Sequence, residues 1–125
     1  ARRDVMKKIL LIVVVTVLLL AGVAIALDVS KGSGSQTASA TISSVAGTFS
    51  GIMIATDGTN AVTLDVYDNT AASGTKLIPT TPITTSAIDR VQIIRPPVPV
   101  RYQTGLYVNV SVAGAGTCAY VAYFY

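Results

Sequence analysis

The sequence predicts a mainly β chain: an N-terminal single hydrophobic, transmembrane-type helix followed by a seven-stranded antiparallel β-sandwich. Three observations carry this. Residues 9–27, ILLIVVVTVLLLAGVAIAL, contain no charged side chain. Beyond residue 36 apolar and polar residues alternate, the period-two signature of half-buried strands. Turn-forming clusters recur about every ten residues, as in all-β folds of two sheets.

The elements follow in order. Residues 1–8 form a basic arm, with Arg2, Arg3, Lys7 and Lys8 against Asp4. The arm holds the whole net charge of +3, because Lys31, Lys76, Arg90, Arg95 and Arg101 are balanced by Asp28, Asp57, Asp65, Asp68 and Asp89. Residues 9–27 are long enough, at roughly 28 Å as a helix, to match a bilayer core. A secretory signal peptide ending at Ala24-Ile25-Ala26 is the competing reading; a retained helix is preferred, with the basic residues setting its topology. Residues 28–35, which include Lys31-Gly32-Ser33-Gly34-Ser35, read as a flexible Gly/Ser linker.

Residues 36–125 form the β domain. Val62, Leu64 and Val66 alternate with Thr63, Asp65 and Tyr67, and Leu106, Val108, Val110 and Val112 alternate with Tyr107, Asn109 and Ser111. The other expected strands are 37–43, 48–56, 76–78, 90–94 and 117–125. Asp57-Gly58-Thr59-Asn60 and Gly114-Ala115-Gly116 are turns. Pro96-Pro97-Val98-Pro99 cannot be a central strand, since three of its four residues lack an amide donor. Thr80-Thr81-Pro82-Ile83-Thr84-Thr85 reads as a solvated loop. Tyr120, Tyr123, Val121, Phe124 and Tyr125 give the last strand two apolar faces, so it is expected either to be buried on both sides inside the sandwich or to turn one face to a neighbouring subunit.

The chemistry of an enzyme is scarce. The chain has no His, no Trp and no Glu, and Cys118 is its single cysteine. A Ser-His-Asp set, a disulfide within the chain and a Cys/His zinc site are excluded. Asp57 and Asp68 are explained by turn formation, and the scattered Asp residues do not build a calcium loop. Asn109-Val110-Ser111 matches a glycosylation pattern but falls mid-strand. No catalytic, cofactor-binding or metal-ligating residue is therefore expected. The expected partners are copies of the chain and lipid or neighbouring hydrophobic helices. Nucleic acid at the basic arm is a lesser alternative, and no small-molecule substrate or cofactor is expected.

Val66-Tyr67-Asp68-Asn69-Thr70-Ala71-Ala72-Ser73-Gly74-Thr75, Gly105-Leu106-Tyr107-Val108-Asn109-Val110 and the tyrosine-rich close give residues 61–125 a pattern. It resembles small β-sandwich domains of tailed-phage and other virion structural proteins. The apolar helix is similar to those of membrane-anchored virion proteins or pilins, although Arg2, Arg3, Lys7 and Lys8 stand where pilin helices are apolar. The resemblance implies a non-enzymatic structural subunit of a surface assembly, virion or extracellular filament. The helix would be its anchor or core, and the β domain would lie outside, extracellular or on the virion exterior. The alternatives are a pilin-like filament subunit and a bitopic membrane-anchored adhesion or binding module.

Overall fold

Alternation of Val62, Leu64 and Val66 in one strand and of Leu106 and Val108 in another places five apolar side chains on one side of a sheet, all of them buried. Ile52, Ile54, Tyr120 and Ala122 do the same for a second sheet. The two inner faces close on each other around a single core that also takes in Phe49, Ile78, Ile83, Tyr102 and Cys118. The computed structural model describes the backbone of residues 1–26 and 30–125 and the side chains of residues 1–14 and 30–125.

Among the described residues one helix, α1 (Arg2–Ala26), is followed by nine strands: β1 (Lys31–Gly32), β2 (Ala40–Ser43), β3 (Gly47–Thr56), β4 (Val62–Asp68), β5 (Thr75–Ile83), β6 (Val91–Ile94), β7 (Val100–Tyr102), β8 (Leu106–Val112) and β9 (Cys118–Phe124). The first sheet runs β1-β9-β3-β6, with β7 also pairing β3; the second runs β2-β8-β4-β5. Every pairing is antiparallel, and both sheets are open.

The strand count corrects the seven-stranded expectation among the described residues. β7 is a short segment that re-forms the edge of β3 after the proline run. β1 lies in the stretch expected to be a linker. Backbone pairing needs no side chain, and Lys31 and Gly32 pair Phe124 and Tyr123 of β9. The amide of Ser33 then donates to the Ala122 carbonyl at 2.9 Å, and Gln36 exchanges two backbone bonds with Tyr120 at 2.9 and 2.8 Å. The Thr/Pro stretch also joins a strand, because β5 is an edge, where proline costs no central ladder bond.

The transmembrane-type helix is corrected as well. Among the described residues no helix is long and apolar enough to cross a membrane. The described side chains of α1 include Arg2, Arg3, Asp4, Lys7 and Lys8, a density of charge that a lipid core rejects. Most of the expected span, residues 15–27, lies outside the residues whose side chains are described.

Turn chemistry fixes the ends of the stack. Gly58 takes a positive φ of 77° in the β3–β4 turn, and a Cβ there would meet the Ser86 carbonyl at 2.6 Å, so only glycine fits. Ile94 and Val100 pair with Ile52 and Phe49, only three residues apart on β3. Residues 95–99 therefore arch out of the edge, carrying Pro96, Pro97 and Pro99.

Candidate functional site

Two features of the surface stand apart from ordinary solvated sheet. The first is a buried carboxylate on the outward side of β4. Asp65 alternates with Leu64 and Val66 and so points away from the core, yet it is only 5% exposed. Its neighbours cover it. The Tyr67 hydroxyl donates to Asp65 Oδ2 at 3.0 Å, and Thr80 Oγ1 donates to the same oxygen at 3.1 Å. Lys76 Nζ lies 3.1 Å from Oδ2, donates to Thr80 Oγ1 at 2.8 Å, and stands 5.4 Å from the centre of the Tyr67 ring. Asn109 is directly opposite on β8.

The electrostatics decide what this cluster can do. Burial pushes the Asp65 carboxyl up, but hydrogen bonds from Asn109, Lys76, Tyr67 and Thr80 outweigh it and hold it below its ordinary value. The bond to Asp65 holds the Lys76 ammonium above its ordinary value, against a smaller desolvation effect. A general base or a nucleophilic amine near neutral pH needs the opposite shifts. The pair stays charged and locked, a fastening between β4 and β5 rather than a reaction centre.

The other carboxylates of the β domain singled out in the sequence are fastenings too. Asp57 accepts the amides of Thr59 (2.8 Å) and Asn60 (2.9 Å) on Oδ1, and the Asn60 side chain (2.9 Å) and the Thr117 amide (3.0 Å) on Oδ2. Asp68 takes the amides of Gln103, Thr104 and Gly105 at 2.8–3.4 Å. The turn reading holds for Asp57, which binds Thr59 and Asn60, but Asp68 ends strand β4 and reaches residues 103–105, and the tie each makes to a distant loop was missed. Cys118 is a free thiol buried in the core, with its pKa raised by burial and then by Asp57. Among the described residues no three His, Cys, Asp or Glu side chains stand together as metal ligands. Asn109 accepts from Ser39 Oγ at 3.1 Å and is half-buried mid-strand.

The second feature is the outward face of the first sheet. Register places Met53 between Ile93 of β6 and Val121 of β9, and Ala55 between Val91 and Ala119. Tyr123 lies opposite Gly51. Ile93 is 68% exposed, Val91 52%, Tyr123 39% and Met53 38%. A strand face turned to water normally alternates to polar residues; here three adjacent strands present apolar ones. The outward face of the second sheet carries Thr41, Thr63, Asp65, Asn109 and Ser111 beside the pair Tyr67 and Tyr107. Sequence reading assigned two apolar faces to β9 but could not find the patch, because its members come from three strands far apart in the chain.

No protein-family model, curated protein or solved structure matches the chain. The resemblance to virion β-sandwich domains, membrane-anchored virion proteins and pilins therefore gains no support. With no described helix able to cross a membrane, the surface-assembly role drawn from that resemblance falls. So does the membrane-anchored or virion-exterior placement.

Proposed function

We propose that this chain is a non-catalytic module that associates with copies of itself through the outward face of the β1-β9-β3-β6 sheet. One observation carries the reading: Met53, Val91, Ile93, Val121 and Tyr123 form a contiguous apolar surface that no described part of the chain covers. Contiguous exposed apolar area of this kind marks interaction sites. The carboxylates of the β domain described above are meanwhile bound into structural contacts, which supports the non-catalytic half of the reading.

The test is sedimentation of the full chain against the double variant Met53→Asp, Ile93→Asp. Both positions are exposed, so the fold and melting temperature are expected to hold. The average mass of the variant should fall below that of the original chain at equal concentration. An unchanged mass distribution would sink the proposal.

A further inference from the structure

We infer that β9 is a guarded edge: residues 30–38 form a strap that opens on its own, and the strand it uncovers accepts an added antiparallel strand. This site lies beyond the face described above and does not depend on association through it.

Three of the four sheet edges are blocked by their own residues. β5 carries Pro79 and Pro82. The β6–β7 edge is broken by the arch holding Pro96, Pro97 and Pro99. β2 has four residues and a register shift. Prolines, short strands and bulges are the ordinary means of preventing edge-to-edge pairing. β9 has no such protection of its own, since Cys118–Phe124 include no proline and no charged side chain. Its outer side is covered by the strap instead.

The strap is a poor strand. Lys31 and Gly32 pair with Phe124 and Tyr123, and then the chain leaves register. Gly34 takes a positive φ of 74°, outside the strand region. Pairing returns where Gln36 stands opposite Tyr120, so residues 33–35 face only residues 121 and 122 of β9. Ala122 records the mismatch. Its carbonyl accepts the Ser33 amide at 2.9 Å, but its own amide donates to Ser33 Oγ at 3.0 Å and not to a backbone carbonyl. No residue from 30 to 38 is buried, so lifting the strap takes none of its side chains out of the core. The last tie is the Tyr120 hydroxyl, which donates to the Ala38 carbonyl at 2.8 Å. Ser39 is then pinned to β8, where its Oγ accepts the Val110 amide at 2.9 Å and donates to Asn109 Oδ1 at 3.1 Å. Opening therefore stops at Ser39 and leaves both sheets paired.

The uncovered edge states what it takes. A regular antiparallel strand brings a backbone carbonyl to the Ala122 amide where the strap brings a hydroxyl. Its side chains would lie beside Val121 and Tyr123 on the outward face and beside Tyr120 and Phe124 on the inward one. Both sets are apolar. The fitting occupant is an extended, proline-free segment rich in β-branched residues, bound by strand addition.

Hydrogen exchange on the original full chain tests the strap. The Tyr120 and Ala122 amides bond the strap, and alternation along the strand turns the Val121 amide toward β3. Tyr120 and Ala122 should exchange at least about tenfold faster than Val121, as in a local opening. Equal rates would show that the strap opens only with the whole domain and would overturn the inference. Strand addition is tested with Ser33→Pro, Gln36→Pro in the full chain, which removes both strap amides that donate to β9 carbonyls. The probe is a fluorescent short peptide of alternating Thr and Val, with a copy carrying central prolines as control. The variant should bind the first at least about tenfold more tightly than the original chain does, and should leave the proline copy unbound. Binding no tighter than that of the original chain would sink strand addition. So would equal binding of both peptides, because backbone bonds would then play no part.

Discussion

Asp57 and Thr117 hold each other twice. The Asp57 amide donates to the Thr117 carbonyl at 3.2 Å, and the Thr117 amide donates back to Asp57 Oδ2 at 3.0 Å. The β3–β4 turn is thus tied to the start of β9, 60 residues later in the chain. Asp68 makes the corresponding tie between the end of β4 and the β7–β8 turn.

These ties predict acid sensitivity. Hydrogen bonds from Asn60, Thr59 and Thr117 hold the Asp57 carboxyl well below the ordinary range. For Asp68, burial pushes upward, but the amides of Gln103, Thr104 and Gly105 prevail and lower it. A carboxyl with a depressed folded-state pKa stabilises the fold above its unfolded value, about 3.9, and loses that stabilisation as pH falls toward the folded value. Urea midpoints should therefore be flat from pH 7 to about 5 and drop steadily below about 4. Asp57→Asn should start lower at pH 7 and show a shallower drop. An equal acid slope in the variant would contradict the assignment.

At the alkaline end the sign reverses. Burial, with smaller contributions from Cys118 and Tyr107, pushes the Tyr120 hydroxyl up to about 12. Its neutral form, donating to the Ala38 carbonyl at 2.8 Å, contributes stability in full below about pH 10 that is lost as pH rises toward 12. Tyr120→Phe should cost about 1 kcal/mol at pH 7 and reduce the loss between pH 10 and 12, read by urea unfolding.

The Asp65 cluster predicts a stability effect. Asp65→Ala leaves the Tyr67 hydroxyl, Thr80 and Lys76 without their shared acceptor and should cost about 1–3 kcal/mol. Lys76→Met should cost less, since Lys76 is partly exposed and its pairing is screened by water. Denaturant unfolding of both variants gives the order, and the reverse order would show that Lys76 is the essential member.

The proline-bearing edges predict aggregation. Replacing Pro79 and Pro82 with Thr restores amide donors along β5 and keeps β propensity. The variant should form thioflavin-positive fibres with a shorter lag than the original chain. An unchanged lag would show that the two prolines are not what protects that edge.

Much of this architecture was legible because it rests on side-chain periodicity. Val62, Leu64 and Val66 declare β4, and Leu106 and Val108 declare β8, through alternation alone. β1 was not legible, because glycine and serine signal a linker while their backbone bonds to β9 leave no mark in composition. β5 was read short, since Pro79 and Pro82 argue against a strand unless its edge position is known. The Asp65–Lys76 pair and the apolar face share a different obstacle. Each joins residues from separate strands, and only register brings Lys76 to Asp65 or Ile93 and Val121 to Met53. The helix α1 was over-read as a span on apolar content, and its first two turns carry Arg2, Arg3, Asp4, Lys7 and Lys8.

The pairing of β1 with β9 also sets how the domain bears tension. Lys31 lies opposite Phe124, so the entering and leaving chain stand at the same end of the ladder. Pulling the two apart loads the bonds one after another, from Lys31–Phe124 toward Gln36–Tyr120, as a zipper opens, and never all together in shear. Stretched between its ends, the domain should give way at low force by peeling off residues 31–36, while the buried ladder of β9 on β3 holds.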